Sequence, residues 1–128
     1  MRRAIGVATE SIVGNFKISV IPDNVSPLRR TSDVFPDVAY SHWNQYRNFA
    51  LTQEGLLQSQ WRGHLVPPIS GTGPLVLVDT GAGPGPHDHT QRNGKLLDNL
   101  LAQGVAPDDI DHVVITHTHF DHIGWHVA

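Results

Sequence analysis

Cysteine is absent from the 128 residues. That excludes disulfides and thiolate metal ligands, so any bound metal must be held by nitrogen and oxygen. Charge is sparse at 16% of residues, and its balance is slightly acidic, with nine Lys plus Arg against twelve Asp plus Glu. A basic surface for nucleic acid or an anionic membrane is therefore not expected. Long apolar runs are missing too. The amino terminus, Met1-Arg2-Arg3-Ala4-Ile5-Gly6-Val7, starts basic, but Lys17 and Asp23 flank only a short apolar stretch. The expectation is neither a signal peptide nor a membrane span, with the cytoplasm as the default compartment. Repeats, low-complexity tracts and linkers are lacking as well, and the length suits one domain over residues 1–128.

What the chain has in excess is histidine, nine residues, most of them after residue 86. Along the chain, residues 3–8 and 16–21 have the pattern of strands, with Gly14-Asn15 between them as a hairpin turn. Residues 22–50 change character. Pro22, Pro27 and Pro36, with interspersed Asp, Asn and Ser, mark an irregular arm, with a short helix expected around 37–47. The arm carries Phe35, Tyr40, Trp43, Tyr46 and Phe49. These rings either pack the arm onto the body or wall a substrate pocket. Strand material is expected at 56–61 and 64–66. Leu75-Val76-Leu77-Val78 is a continuous apolar run, suited to a strand buried on both faces.

Leu96, Leu97, Leu100 and Leu101 recur at helical spacing, so a helix is expected over 93–103, with Gly104 at its C′ position. Ala106-Pro107-Asp108-Asp109-Ile110 fits one helical turn, and 112–116 fits a final strand. Strands first, then a strand–helix–strand unit, indicate a sheet with packed helices, of α/β or α+β type. Both stretches rich in candidate chemistry, after residue 78 and after residue 116, follow strand ends, where sites of such sheets gather.

The second of these stretches is Thr116-His117-Thr118-His119-Phe120-Asp121-His122-Ile123-Gly124-Trp125. In an extended loop His117 and His119 point the same way and can converge on one cation. Asp121 and His122 follow as the chain turns and can aim at a second point. Imidazole with carboxylate suits Zn2+ first, with Mn2+, Fe2+ or Co2+ as alternatives. His87-Asp88-His89 is a second His-x-His pair, on a Gly/Pro-rich loop, read as surface or pocket rim. His112 reads as solvated, and His42 and His64 have no partners that the sequence can name.

His117-Thr118-His119-Phe120-Asp121-His122 resembles the signature of the metallo-β-lactamase fold superfamily. So does Leu77-Val78-Asp79-Thr80-Gly81 upstream of it. The Trp125 ending and the Phe35-Pro36-Asp37-Val38 arm look most like the branch of acyl-homoserine lactonases and methyl-parathion-hydrolase-like enzymes. The resemblance implies an αββα sandwich and a dinuclear, usually zinc, hydrolase. It implies that His117 and His119 ligate the first metal and that Asp121 and His122 ligate the second. Asp121 would also be the catalytic residue, holding the bridging hydroxide and shuttling a proton. Asp79 would brace the ligand loop through hydrogen bonds without touching metal.

The family also places a further His, a bridging carboxylate and a last His well downstream. The 128 residues thus read as the amino-terminal half of such a domain, with an uncovered apolar face open to self-association. A metal-dependent hydrolase acting on a small-molecule lactone, ester or related bond is the leading expectation. The alternatives are a catalytically incomplete metal-binding or interaction fragment, or a glyoxalase-II-like thioesterase.

Overall fold

The computed structural model describes residues 10–67, 71–89 and 91–127. Five strands form one sheet in the order β1-β2-β3-β4-β5, so spatial neighbours are also sequence neighbours. Strands β1 (Glu10–Val13) and β2 (Phe16–Val25) make an antiparallel hairpin, with Val13 opposite Phe16. The turn is Gly14-Asn15 as the sequence suggests, with Gly14 at φ +56°. The partner strand is Glu10–Val13, whereas the expected strand at 3–8 lies outside the described residues. Strand β3 (Gln60–Val66) pairs antiparallel with β2 and with β4 (Val76–Val78). Strand β5 (His112–Val114) is parallel to β4, and the helix Leu96–Ala102 lies between them in sequence. That is a crossover unit.

β2 runs past Pro22 to Val25, beyond its expected end. A register shift between Pro22 and Asn24 leaves Asp23 as an extra residue in the strand. The bulge accommodates a proline that has no N–H to give to the ladder. β3 is continuous where two pieces were expected, and Leu57 makes only isolated bridges, to Arg29 and Leu51.

The arm contains a one-turn helix α1 (Thr31–Val34), a 3-10 turn over Tyr40–Tyr46, and a one-turn helix α2 (Arg47–Ala50). The short helix expected around 37–47 forms as a 3-10 helix over Tyr40–Tyr46, not as an α-helix. Ser, His, Asn and aromatic residues fill this stretch, and all are mediocre helix formers. Its rings instead make a chain of edge and tilted contacts, Phe35–Trp43 at 5.4 Å, Trp43–Tyr46 at 6.3 Å and Tyr46–Phe49 at 5.7 Å.

The core lies between one face of the sheet and helix α3 (Leu96–Ala102). Ile21, Leu65 and Leu77 come from three adjacent strands and meet Leu96 and Leu100. Leu97 packs at the edge of this cluster, while Leu101 is exposed, so the apolar stripe is narrower than the sequence implies. The helix stops as expected at Gly104. Gly104 N–H donates to the Leu101 carbonyl (2.9 Å) and Val105 N–H to Leu100 (3.1 Å), which closes a Schellman motif. The expected turn at 106–110 is a 3-10 turn, Pro107–Asp109, with the Asp109 carboxylate accepting from Ala106 N–H at 2.8 Å.

On the opposite face Val20, His64, Val78 and Val114 stand in one row across β2 to β5. Leu77 is buried, but Val76 and Val78 are only half-buried, and Val114 is 48% exposed. β4 is therefore fully buried on one face, not on both. Among the described residues no helix is long and apolar enough to cross a membrane.

Candidate metal centre

Two loops meet at the carboxyl end of the parallel pair β4 and β5. They are bound backbone to backbone. Thr80 N–H donates to the His122 carbonyl at 2.7 Å, and Gly124 N–H to Gly81 at 2.8 Å. The approach is so close that a Cβ at Gly124 would collide with the Ala82 carbonyl. Helix α4 (Phe120–Ile123) is a single turn inside the second loop.

Asp79 opens the first loop in a left-handed conformation, φ +59°, a position that Asp tolerates better than most residues. It is only 5% exposed. Its carboxylate accepts from Thr116 N–H at 2.8 Å, from the Thr116 hydroxyl at 2.8 and 3.0 Å, and from His122 Nδ1 at 2.8 Å. Burial by itself would raise the carboxyl pKa. The Thr116 amide, the His122 ring and the Thr116 hydroxyl together outweigh it and hold Asp79 below the ordinary carboxylate range.

These bonds dictate protonation further out. An ionised carboxylate only accepts, so His122 must carry its proton on Nδ1, which leaves Nε2 as the free lone pair. The Thr116 hydroxyl has one proton and gives it to Asp79. It can then only accept from His117 Nδ1, 3.1 Å away. His117 is thereby left with a free lone pair on Nε2 as well. The imidazoles cluster tightly, with ring centroids 3.9 Å apart for His117–His122 and 4.7 Å for His117–His119. Asp121 Oδ2 stands 3.6 Å from His122 Nε2.

All five residues picked out in the sequence therefore lie in one assembly. Its donors are nitrogen and oxygen, with two imidazoles oriented for ligation, a set that suits zinc in kind. In number it falls short. Among the described residues no three His, Asp or Glu side chains close around a single point.

A cleft of about 480 Å³ opens beside the assembly, with His119 and Asp121 in its wall. Phe35, Leu57, Trp61 and Phe120 make it largely apolar. Phe35 is thus the arm ring that reaches the cleft. The other histidines lie apart from the ligand loop. His87 and His89 stack edge-on against Trp61, at 5.6 and 5.0 Å, and their Nε2 atoms contact the Gly83 and Val25 carbonyls. His64 sits in the open row of β3. Burial lowers its pKa, the neighbouring Arg62 charge adds to that, and Asp79 opposes it. His42, His112 and His126 are exposed.

The residue that the sequence did not single out is Asp23. At 4% exposure, its carboxylate accepts from Ala82 N–H (2.8 Å), from Leu96 N–H (3.0 Å) and from Trp125 Nε1 (2.8 Å). One bulged side chain thus ties the first loop, the start of α3 and the exit of the second loop together. No local pattern announces this. The available signal was an acid directly after a proline in a strand of alternating apolar and polar residues.

Residues 69–128 match the sequence profile of the Metallo-beta-lactamase superfamily. This part of the chain is similar to that superfamily. Metallo-beta-lactamase domain-containing protein 1 of Xenopus laevis is 55% identical over 53 residues, which are 41% of this chain and 20% of that protein. Its Mus musculus counterpart is 54% identical over 49 residues, 38% of this chain and 16% of that protein.

Among solved structures, a hydrolase of the beta lactamase superfamily, AbOPH, superposes with a TM-score of 0.66 at 25% identity. It covers 89% of this chain and 37% of its own. AidC, a dizinc quorum-quenching lactonase, gives 0.66 at 22% identity, over 90% of this chain and 37% of its own. A probable metal-dependent hydrolase from Staphylococcus aureus gives 0.67 at 19% identity, over 88% of this chain and 41% of its own. The chain thus spans a fifth or less of those curated relatives and under half of each of these structures. The fold is similar to the matched part of these metallo-beta-lactamase fold structures. The superfamily profile takes in Asp79 and the whole ligand loop, whereas Asp23, Trp61 and the arm lie before it.

Proposed function

We propose that this chain carries the first ligand loop of a dinuclear metal hydrolase that cleaves a lactone, ester or related bond. His117 and His119 would hold one ion, and Asp121 and His122 the other. The observation that carries this reading is the Asp79–Thr116 network, which leaves Nε2 of both His117 and His122 free. Ions bound there would supply an activated water and an electrophile for the carbonyl oxygen. Asp121, in the cleft wall, would orient the nucleophile and carry a proton towards the leaving group. Phe35, Trp61 and Phe120 would hold the apolar acyl portion and keep bulk water out. The dizinc lactonase AidC, with the same fold, supports zinc and a small-molecule substrate.

Turnover of lactones, aryl esters and thioesters by the zinc-loaded protein tests the reading. Activity should vanish with a chelator and fall about a hundredfold or more in His117→Ala and in Asp121→Ala. Turnover indifferent to all three would contradict it.

One observation favours a second reading. The described residues provide no three-donor shell, and catalytic zinc usually has three protein ligands. A metal-binding or interaction fragment without turnover would then bind zinc and show no hydrolysis. The open valine row is proposed as the contact for a second copy of the chain.

A further inference from the structure

The cleft beside the ligand loop contains one side chain that neither the hydrolytic reading nor the packing of the arm uses. Arg29 lines it, on the arm side, together with Val34 and Phe35. Its main chain is held in both directions, with Arg29 N–H donating to the Leu57 carbonyl at 3.0 Å and Leu57 N–H to Arg29 at 2.8 Å. The root of the side chain is therefore fixed. Among the described residues its guanidinium meets no carboxylate and makes no hydrogen bond. The arm's other two arginines behave differently. Arg30 is paired with Asp33 at 3.1 and 3.2 Å, and Arg47 donates to the Tyr40 hydroxyl and to Asn44. Neither of them lines this cleft.

The remaining lining sharpens the contrast. Ser26 is spent internally, accepting from Ser59 N–H at 2.8 Å and donating to the Pro27 carbonyl at 3.1 Å. Among the described residues Asp121 brings the cleft's only negative side chain, and on the hydrolytic reading that charge is committed to a cation. Among the described lining residues, what is left is a largely apolar trough that includes one arginine, Arg29, whose guanidinium has no partner. A guanidinium matches a carboxylate with two parallel bonds, and it is less strongly hydrated than an ammonium. The cleft volume is also in the range that takes a small organic ligand.

We infer that Arg29 is a specificity residue, and that the substrate class is an ester, thioester or lactone with an apolar body and a carboxylate remote from the bond that is cleaved. The inference rests on the hydrolytic reading for the identity of the reacting bond, but its binding half can be read without metal or turnover.

The test uses the 128-residue protein, isotope-labelled and metal-free, with monoethyl adipate as the anionic probe and diethyl adipate as the neutral one. The signals followed are the Trp61 indole N–H and the Phe120 amide. The anion should bind about tenfold more tightly than the neutral ester. Arg29→Gln should abolish that preference, Arg29→Lys should keep part of it, and Arg30→Gln should leave it intact. Equal affinity for the two probes, a preference that survives Arg29→Gln, or no response at Trp61 and Phe120 would each overturn the inference. A preference dependent on Arg29 without zinc-dependent turnover would retain the anion site and remove the hydrolase reading. Turnover without the preference would do the reverse.

Discussion

The proton of the Thr116 hydroxyl goes to Asp79, and two imidazoles are ordered as a consequence. Asp79 takes His122 Nδ1–H directly, and it takes His117 Nδ1–H through Thr116. In the metal-free protein both rings should therefore be protonated on Nδ1, the minor tautomer of a free imidazole. Nitrogen-15 spectra of the side chains report this directly, and Asp79→Ala should return both rings towards the Nε2–H form. Nε2–H signals for His117 and His122 in the unaltered protein would refute the network. His64 offers a second check. Its pKa is lowered by burial first and Arg62 second, so below about 6.5 the unfolded chain binds a proton that the folded one resists. Stability should rise with pH through the window between the lowered value and about 6.5, and be lost as pH falls through it. Denaturation midpoints across that range should flatten in His64→Gln. The cluster at 117–122 could be singled out in the sequence because its histidines and Asp121 are adjacent and follow a strand end, whereas Asp79 was picked out by the family resemblance, and the structure shows it hydrogen-bonded to Thr116 and His122. Asp23 was not singled out, since its partners lie 59 to 102 residues away and only the bulge brings it to them.

Elements here are held by few, long-range bonds. Asp23 joins β2 to the 79–83 loop, to the start of α3 and to Trp125. Removing a buried carboxylate that serves three donors leaves all three unpaired. Asp23→Ala should cost about 3 kcal/mol of unfolding free energy, with Asp23→Asn losing less because one acceptor oxygen remains. Chemical denaturation measures both, and a loss under about 0.5 kcal/mol would show that the three bonds are not made. The hairpin turn, helix α3 with its glycine stop, and the β4–α3–β5 crossover could all be read from periodicity and turn chemistry. The arm could be read in part: a short helix was expected around 37–47 and a 3-10 helix forms over Tyr40–Tyr46, with Trp43, Tyr46 and Phe49 in ring contact at three-residue spacing. Pro22 suggested the end of a strand, but the bulge let β2 continue.

The molecule as described is a single sheet covered on one side by α3, with a valine-rich row and His64 on the other. Apolar rows of this kind favour association. Light scattering across a concentration series should show the chain self-associating, and Val114→Lys should shift it towards monomer. A chain that stays monomeric at all concentrations would leave the row without that role. The same one-sidedness bears on the candidate metal centre, where the two loops at one end of one sheet bring together an ordered but partial set of nitrogen and oxygen donors. The most direct test is a zinc titration followed by nitrogen-15 spectra of the histidine side chains. The account predicts that the Nε2 signals of His117 and His122 move with added zinc, that His119 responds with them, and that His87 and His89 do not. Zinc that leaves the 117–122 histidines unmoved, or that perturbs His87 and His89 first, would contradict it.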